Sequence, residues 1–197
     1  MTVAIDQVYA VILAAGQSTR LGQPKQLLEW QNRTLLEHAL INASMIFKDR
    51  VLVVLGAEAD LIQSATNFAE TTVMVNPDWH TGMASSIRAA IQALPDSATA
   101  VMLMLCDQPL ITDVQLQGLV SAWQAAPEQI VASEYHQSMG VPAIFPTSYF
   151  DELLMLEGDK GAKSVLIKHQ TDLIRLSLPE AELDIDTLAD FQHLHQY

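Results

Sequence analysis

Three groups of residues carry types and spacings suited to chemistry. The first is Leu13-Ala14-Ala15-Gly16-Gln17-Ser18-Thr19-Arg20-Leu21-Gly22-Gln23-Pro24-Lys25, which begins as an apolar run ends. Small residues at Ala14, Ala15 and Gly16 let a ligand approach the backbone closely. Gly16 and Gly22 permit positive-φ turns that aim successive N–H groups inward as an anion nest. Arg20 and Lys25 add cations in a chain with only 10 Lys and Arg. Donors and cations of this kind suit a triphosphate. The spacing matches neither G-x-x-x-x-G-K-[ST] nor G-x-G-x-x-G, and an ordinary glycine-rich strand-to-helix loop with solvated Arg20 and Lys25 is the competing reading.

The second group is acidic. Asp107 stands at the end of the apolar run Ala100–Leu105 and before Pro109, and Asp184 and Asp186 stand two apart in DIDT. In an extended segment, residues i and i+2 face the same way, so both can face one site. Carboxylates meeting beside a triphosphate make a Mg²⁺ site, with phosphate and water completing the shell. Each of these acids could instead cap a turn or helix. The third group is polar: Asn76, Gly82, Ser85 and Ser86 precede or open a helical pattern, and Gly158–Lys163 holds two glycines and two lysines. The former could read a base or ribose, or the serines could simply start the helix. The latter could bind a phosphate on a second substrate or be a flexible surface loop. His80, His136 and His169 read as single structural or solvated residues, Arg88 as a solvated or ion-paired one. Cys106 reads as a packing residue, and Met102, Met104 and Met155 as core.

These groups need a scaffold that brings them to one edge. Short apolar runs predict strands at Ala10–Ala15, Val51–Leu55, Val73–Val75, Ala100–Leu105, Ile130–Ser133, Val141–Phe145 and Leu173–Leu176. Helical patterns alternate with them at Thr34–Ile46, Glu58–Phe68, Ala84–Leu94, Thr112 to Ala125, Ala162–His169 and Thr187–His195. Thr34 with Glu37 and Thr112 with Gln115 have capping-box spacing, and Thr187 with Asp190 offers a cap to the last helix. Alternating strands and helices predict an α/β fold, a three-layer α/β/α sandwich around a mostly parallel, Rossmann-like sheet. Ligands then bind at the carboxyl ends of the strands, at a topological switch point. That directs attention to the ends of the runs at Ala15, Val75 and Leu105 and to Asp184–Asp186.

Composition narrows the partners. The 197 residues carry 23 Asp and Glu against 10 Lys and Arg, a formal net charge of -13. That argues against duplex nucleic acid, whose backbone needs clustered cations. One cysteine excludes an internal disulfide. No apolar run approaches a membrane span, and the first residues lack a basic n-region. The expectation is one cytoplasmic domain over residues 1–197.

LAAGQSTRLGQPKQLL resembles the signature of the MobA-like nucleotidyltransferases, in the molybdenum cofactor cytidylyltransferase branch. NPDWHTGMASSIRAAI, CDQPLI, GDKGAKSVL and DIDTLADF resemble the same branch, so the likeness runs from Val11 to Phe191. The chain departs from it at Gly140-Val141-Pro142, where the branch often carries Gly-His-Pro. The resemblance implies a nucleotidyltransferase fold and transfer of CMP from CTP to a molybdopterin-type acceptor, with release of pyrophosphate. It implies Mg²⁺ held by Asp107 and Asp186, with Asp184 as an alternative. It further implies phosphate neutralisation by Arg20 and Lys25, and nucleotide contacts at Leu13, Ala14, Ala15, Gly16, Asn76, Gly82, Ser85 and Ser86. The acceptor would lie by Asp159 and Lys160, and a molybdenum hydroxylase apo-enzyme would receive the product. A nucleotidyltransferase acting on a sugar phosphate or another phosphorylated metabolite, and a non-catalytic nucleotide- or cofactor-delivery protein, are the alternatives.

Overall fold

A computed structural model describes residues 5–136 and 138–197. Residues 1–4, the start of the segment read for a signal peptide, and residue 137 lie outside the described residues. The strands are β1 (Val8–Ala14), β2 (Glu29–Trp30), β3 (Arg33–Thr34), β4 (Val51–Leu55), β5 (Thr72–Val75), β6 (Ala100–Leu105), β7 (Val131–Tyr135), β8 (Ser138–Pro146) and β9 (Ile174–Ser177). The helices are α1 (Leu35–Phe47), α2 (Ala59–Ala65), α3 (Met83–Ala93), α4 (Asp113–Ala125), α5 (Phe150–Leu154), α6 (Lys163–Lys168) and α7 (Leu188–Leu194).

Seven strands form one sheet in the order β5-β4-β1-β6-β8-β7-β9. β8 runs antiparallel to β6 and β7, and the other neighbours are parallel. The chain builds outward from β1 through β4 to β5, then returns to lay β6 on the other side of β1. The switch point is therefore the crevice beyond the carboxyl ends of β1 and β6, where the glycine-rich loop and Asp107 emerge.

Both faces of the sheet are covered. Along β1, Val8, Ala10, Ile12 and Ala14 pack with Leu36, Leu40 and Phe47 of α1 and Leu116 and Trp123 of α4. Val11 and Leu13 pack on the opposite side with Ile87 and Ile91 of α3 and Val165 and Leu166 of α6. This period-2 division explains why the central strands are apolar throughout. A third, smaller cluster joins Leu21, Leu28, Trp30, Leu35, Ile185 and Leu194. It anchors the segment carrying Asp184 and Asp186 beneath the first loop.

The capping boxes form at Thr34–Glu37, Thr112–Gln115 and Thr187–Asp190. The second helix is shorter than its pattern, because Glu58 is left-handed at φ 53 and Thr66 is extended. The β2–β3 hairpin is too short to announce itself by periodicity. Met155 is 80% exposed rather than in the core, because α5 ends at Leu154 and the following turn carries it outward. Among the described residues, no helix is long and apolar enough to cross a membrane.

Candidate functional site

The loop after β1 is shaped by bonds to its own backbone. The Ala15 carbonyl accepts from the Ala57 N–H at 3.1 Å. The buried Gln26 side chain donates through Nε2 to the carbonyls of Ala14 at 2.7 Å and Gly16 at 3.1 Å. Gly22 takes the expected positive φ, 71°. Gly16 does not, and the left-handed position falls instead at Ser18, φ 55. The Ser18 hydroxyl accepts from the Lys25 N–H at 3.1 Å, which returns the chain to the edge of β1 in a single turn, Lys25–Leu27.

That turn aims the Lys25 ammonium at two carboxylates. It bonds Asp107 Oδ2 through a short contact and Asp186 Oδ1 at 2.9 Å. Arg20 donates to the other Asp186 oxygen at 2.8 Å. Burial alone would lower the Lys25 pKa, but the charge of Asp107 and the bonds to both acids outweigh it and hold the ammonium charged. The Lys25 hydrogen bond, above all, holds Asp186 below the usual carboxylate range. Asp184, two residues earlier, behaves oppositely. Its residue surface is exposed, yet desolvation of the carboxyl, then the Asp107 charge, push it up to about 7. Tyr135 is raised to about 12 by burial and then by the charges of Asp184 and Asp107.

Asp107 is 5% exposed. Its Oδ1 is buried with no hydrogen-bond partner among the described residues. An orphaned, inward-facing carboxylate oxygen is costly unless something supplies a partner. With Asp186 close by, hard oxygen donors of this kind fit Mg²⁺ or Mn²⁺. Among the described residues no group of three or more Asp, Glu, His or Cys gathers as a closed metal site. Two carboxylates that leave further positions to phosphate and water match the Mg²⁺ habit.

Between these groups and α3 opens a cleft of about 390 Å³. Leu13, Ala14, Ala15, Gly16, Lys25, Asp107, Gly82, Ser86 and Asp159 line it. Gly82 has φ 110, and a β-carbon there would run into the Gly158 backbone and stand 2.7 Å from Asp159 Oδ1. The Ala84 N–H also donates to the Gly158 carbonyl at 3.1 Å. These contacts latch the 158–161 loop to the start of α3 and bring Asp159 into the same cleft as Ala15.

Other expected residues fall elsewhere. Asn76 and Ser85 do not line the cleft. Asn76 Nδ2 donates to Ser85 Oγ at 2.8 Å and Ser86 Oγ at 3.0 Å, and Ser85 Oγ donates back to the carbonyls of Asp78 and Gly82. Both side chains are spent on holding the turn that opens α3. Lys160 does not line the cleft but lies in a separate surface groove with Glu157 and Ser164. Arg20 stands over Asp186, outside the cleft lining. Arg88, read by sequence as solvated or ion-paired, is half-buried, donates to the Leu156 carbonyl and makes no ion pair among the described residues. Conversely Gln26, Trp79 and Met83 line the cleft and were not singled out by sequence, and His80, read there as a structural or solvated residue, lines it as well. Trp79 and Met83 lie within the stretch NPDWHTGM; nothing in their residue types marked them.

The MobA-like NTP transferase domain matches residues 10–173. The chain belongs to this nucleotidyltransferase family. The MobA-like chain is 30% identical to the nicotine blue oxidoreductase of Paenarthrobacter nicotinovorans, over 95% of this chain and 96% of that protein. It is 26% identical to the molybdenum cofactor cytidylyltransferase of Escherichia coli, over 95% and 94%. The crystal structure of Rv0371c from Mycobacterium tuberculosis superposes with a TM-score of 0.86 at 33% identity, covering 97% of this chain and 98% of that one. A manganese complex of the same mycobacterial protein matches with a TM-score of 0.82 at 31% identity, covering 96% and 98%.

Proposed function

We propose that this MobA-like domain, spanning residues 1–197, is a cytoplasmic Mg²⁺-dependent cytidylyltransferase. It transfers CMP from CTP to the phosphate of molybdopterin, forming molybdopterin cytosine dinucleotide and pyrophosphate. The observation that carries this reading is the Lys25 ammonium held between Asp107 and Asp186 at a cleft of nucleotide size. The likeness to the Escherichia coli cytidylyltransferase supports the choice of CTP and acceptor. The manganese complex of the mycobacterial relative supports a divalent ion.

An oxygen of the acceptor phosphate attacks the α-phosphorus, and the bond from that phosphorus to the bridging oxygen of the leaving pyrophosphate breaks. The acceptor phosphate is largely ionised at pH 7, since its second pKa is about 6, so no side chain needs to take a proton. Catalysis is then positioning and charge stabilisation. Lys25 and Arg20 neutralise the triphosphate and the departing pyrophosphate. Asp107 and Asp186 would hold the Mg²⁺, which when bound would supply Lewis-acid stabilisation of the transferring group. Ser86, whose oxygen already accepts from Asn76, keeps its own proton to donate to the base. The Asp159 side chain, rich in acceptors, suits the hydroxyls or amine of the nucleoside rather than its phosphates. A molybdenum hydroxylase apo-enzyme is the proposed recipient of the product.

A second reading rests on the 30% identity to an oxidoreductase: the same cleft would hold a nucleotide-containing electron carrier. Hydride transfer gives the Lys25–Asp107–Asp186 arrangement no task, which favours nucleotidyl transfer. The deciding assay incubates the protein with CTP, molybdopterin and Mg²⁺ and follows pyrophosphate release, with the dinucleotide identified by mass. Release only with a sugar phosphate would move the acceptor and keep the transferase. Absence of release with any phosphate acceptor, together with NADH or NADPH oxidation, would replace it.

A further inference from the structure

The Lys25–Leu27 turn carries, next to its cation, a side chain with an unusual set of bonds. Gln26 is 1% exposed in the wall of the cleft. Its hydrogen bonds among the described residues both come from Nε2, to the carbonyls of Ala14 and Gly16. Its Oε1 is buried without a partner among the described residues. A Met or Leu of similar size would fill the space without leaving a buried acceptor unpaired. The advantage of a carboxamide at this position therefore lies in its two N–H donors.

The carbonyls it holds sit where the sheet stops. The β1–β6 register ends at Leu13 with Leu105, and the β1–β4 register at Ala14 with Leu55. Beyond that, successive carbonyls of Ala14, Ala15 and Gly16 go to Gln26, to the Ala57 N–H and again to Gln26. In a trans peptide the carbonyl and the following N–H point in opposite directions. Gln26 thus turns the N–H groups of Ala15 and Gln17 away from itself, in a loop whose residues 14–17 line the cleft.

From this arrangement we infer that Gln26 is a positioning residue. By fixing two peptide planes it sets the direction of the loop amides that meet the triphosphate, and it ties that direction to the seat of Lys25. The inference rests on the nucleotide-binding reading of the cleft.

The test is calorimetric titration of the wild-type protein and of Gln26→Met with CTP, inorganic pyrophosphate and cytidine, each in the presence of Mg²⁺. The expected result is a loss of about tenfold or more for CTP and pyrophosphate, as two anchoring hydrogen bonds are removed, with cytidine affinity unchanged. Equal weakening of all three would reduce Gln26 to packing and overturn the inference, as would no change. A wild-type protein that binds none of the three fails earlier, at the nucleotide reading itself, and takes the inference with it. A measurement on the wild type covers the case of a variant that does not fold. In the ¹⁵N-labelled protein, the Gln26 side-chain amide protons should stay protected from exchange when CTP is added, while the Ala15 and Gln17 amide signals shift. Loss of that protection on CTP binding overturns the inference.

Discussion

The main-chain N–H of Ile185 donates to the carbonyl oxygen of Asp107 at 3.0 Å. This bond splices the DIDT segment onto the end of β6, although neither segment belongs to a neighbouring strand. Ile185 is fully buried in the small cluster under the first loop. With that side chain anchored inward, the acids on either side of it emerge toward Asp107. Asp186 meets Lys25 and Arg20, while Asp184 makes no ion pair among the described residues.

Loss of either proposed metal ligand should abolish transfer without unfolding the protein. Asp107→Asn and Asp186→Asn keep side-chain volume and remove the charge, and a lost ligand beside a transferring phosphoryl group costs several kcal/mol of transition-state stabilisation. Pyrophosphate release at saturating Mg²⁺, with circular dichroism as the folding control, measures this. A near-normal rate in either variant would sink the assignment of that residue.

Lys25→Ala should raise KM for CTP and slow transfer, because the leaving pyrophosphate loses its cation. Lys25→Arg should not restore the rate, since the planar guanidinium differs in shape and hydration. The variant also leaves the buried Asp107 without its partner, which should cost about 1–3 kcal/mol of stability or more. With the competing ammonium gone, Mn²⁺ should raise Tm more in Lys25→Ala than in the wild type. Unchanged CTP kinetics would show that this lysine only balances the two acids.

Base choice should depend on Ala15. It lines the cleft at 7% exposure, and its methyl group narrows the space for a purine. The wild type is expected to prefer CTP over GTP. Ala15→Gly should relax the preference without reversing it, by about 1–3 kcal/mol or less, the usual worth of one such group. The comparison is kcat/KM for both nucleotides with one acceptor. Wild-type preference for GTP contradicts the cytidylyltransferase reading, whereas an unchanged ratio in the variant contradicts only the steric role of Ala15.

Stability should respond to pH through Asp184. Its folded-state pKa of about 7 lies above the ordinary value of 3.8, so the native state binds this proton more tightly than the unfolded chain does. The native state is then favoured below the unfolded value, and that advantage is lost as pH rises through about 7. Asp184→Asn should therefore raise Tm at pH 8 and make no difference near pH 3. An equal Tm for the two proteins at pH 8 would show that the carboxylate stays solvated and is screened from Asp107.

Much of the scaffold was legible because its signals are local. The runs VLVVL and AVMLML predict β4 and β6 to the residue, since a strand buried on both faces has no room for polar side chains. The capping boxes mark three helix starts by side-chain chemistry acting over a single turn. The acid at the end of β6 and the cations of the first loop could be singled out because charge next to an apolar strand end is conspicuous.

Which of those residues meet was decided by long-range packing. Nothing local ties Asp186 to Lys25; the Ile185 anchor and its bond to Asp107 do. Asn76 and Ser85 have the right types for reading a base, yet the fold turns them inward to secure the first turn of α3. Asp159 and Lys160 are adjacent in sequence, but the contact of Gly82 with Gly158 sends the first into the cleft and leaves the second outside it. Gln26 reads as an unremarkable polar residue after a lysine, and only the end of the β1 ladder supplies the two carbonyls that give it a task. The sequence by itself determined the elements and the inventory of charges, because propensity, capping and hydrophobic period act over a few residues. The tertiary structure decided the site, because hydrogen-bond partners and burial are properties of surfaces that come together only when the sheet closes its switch point.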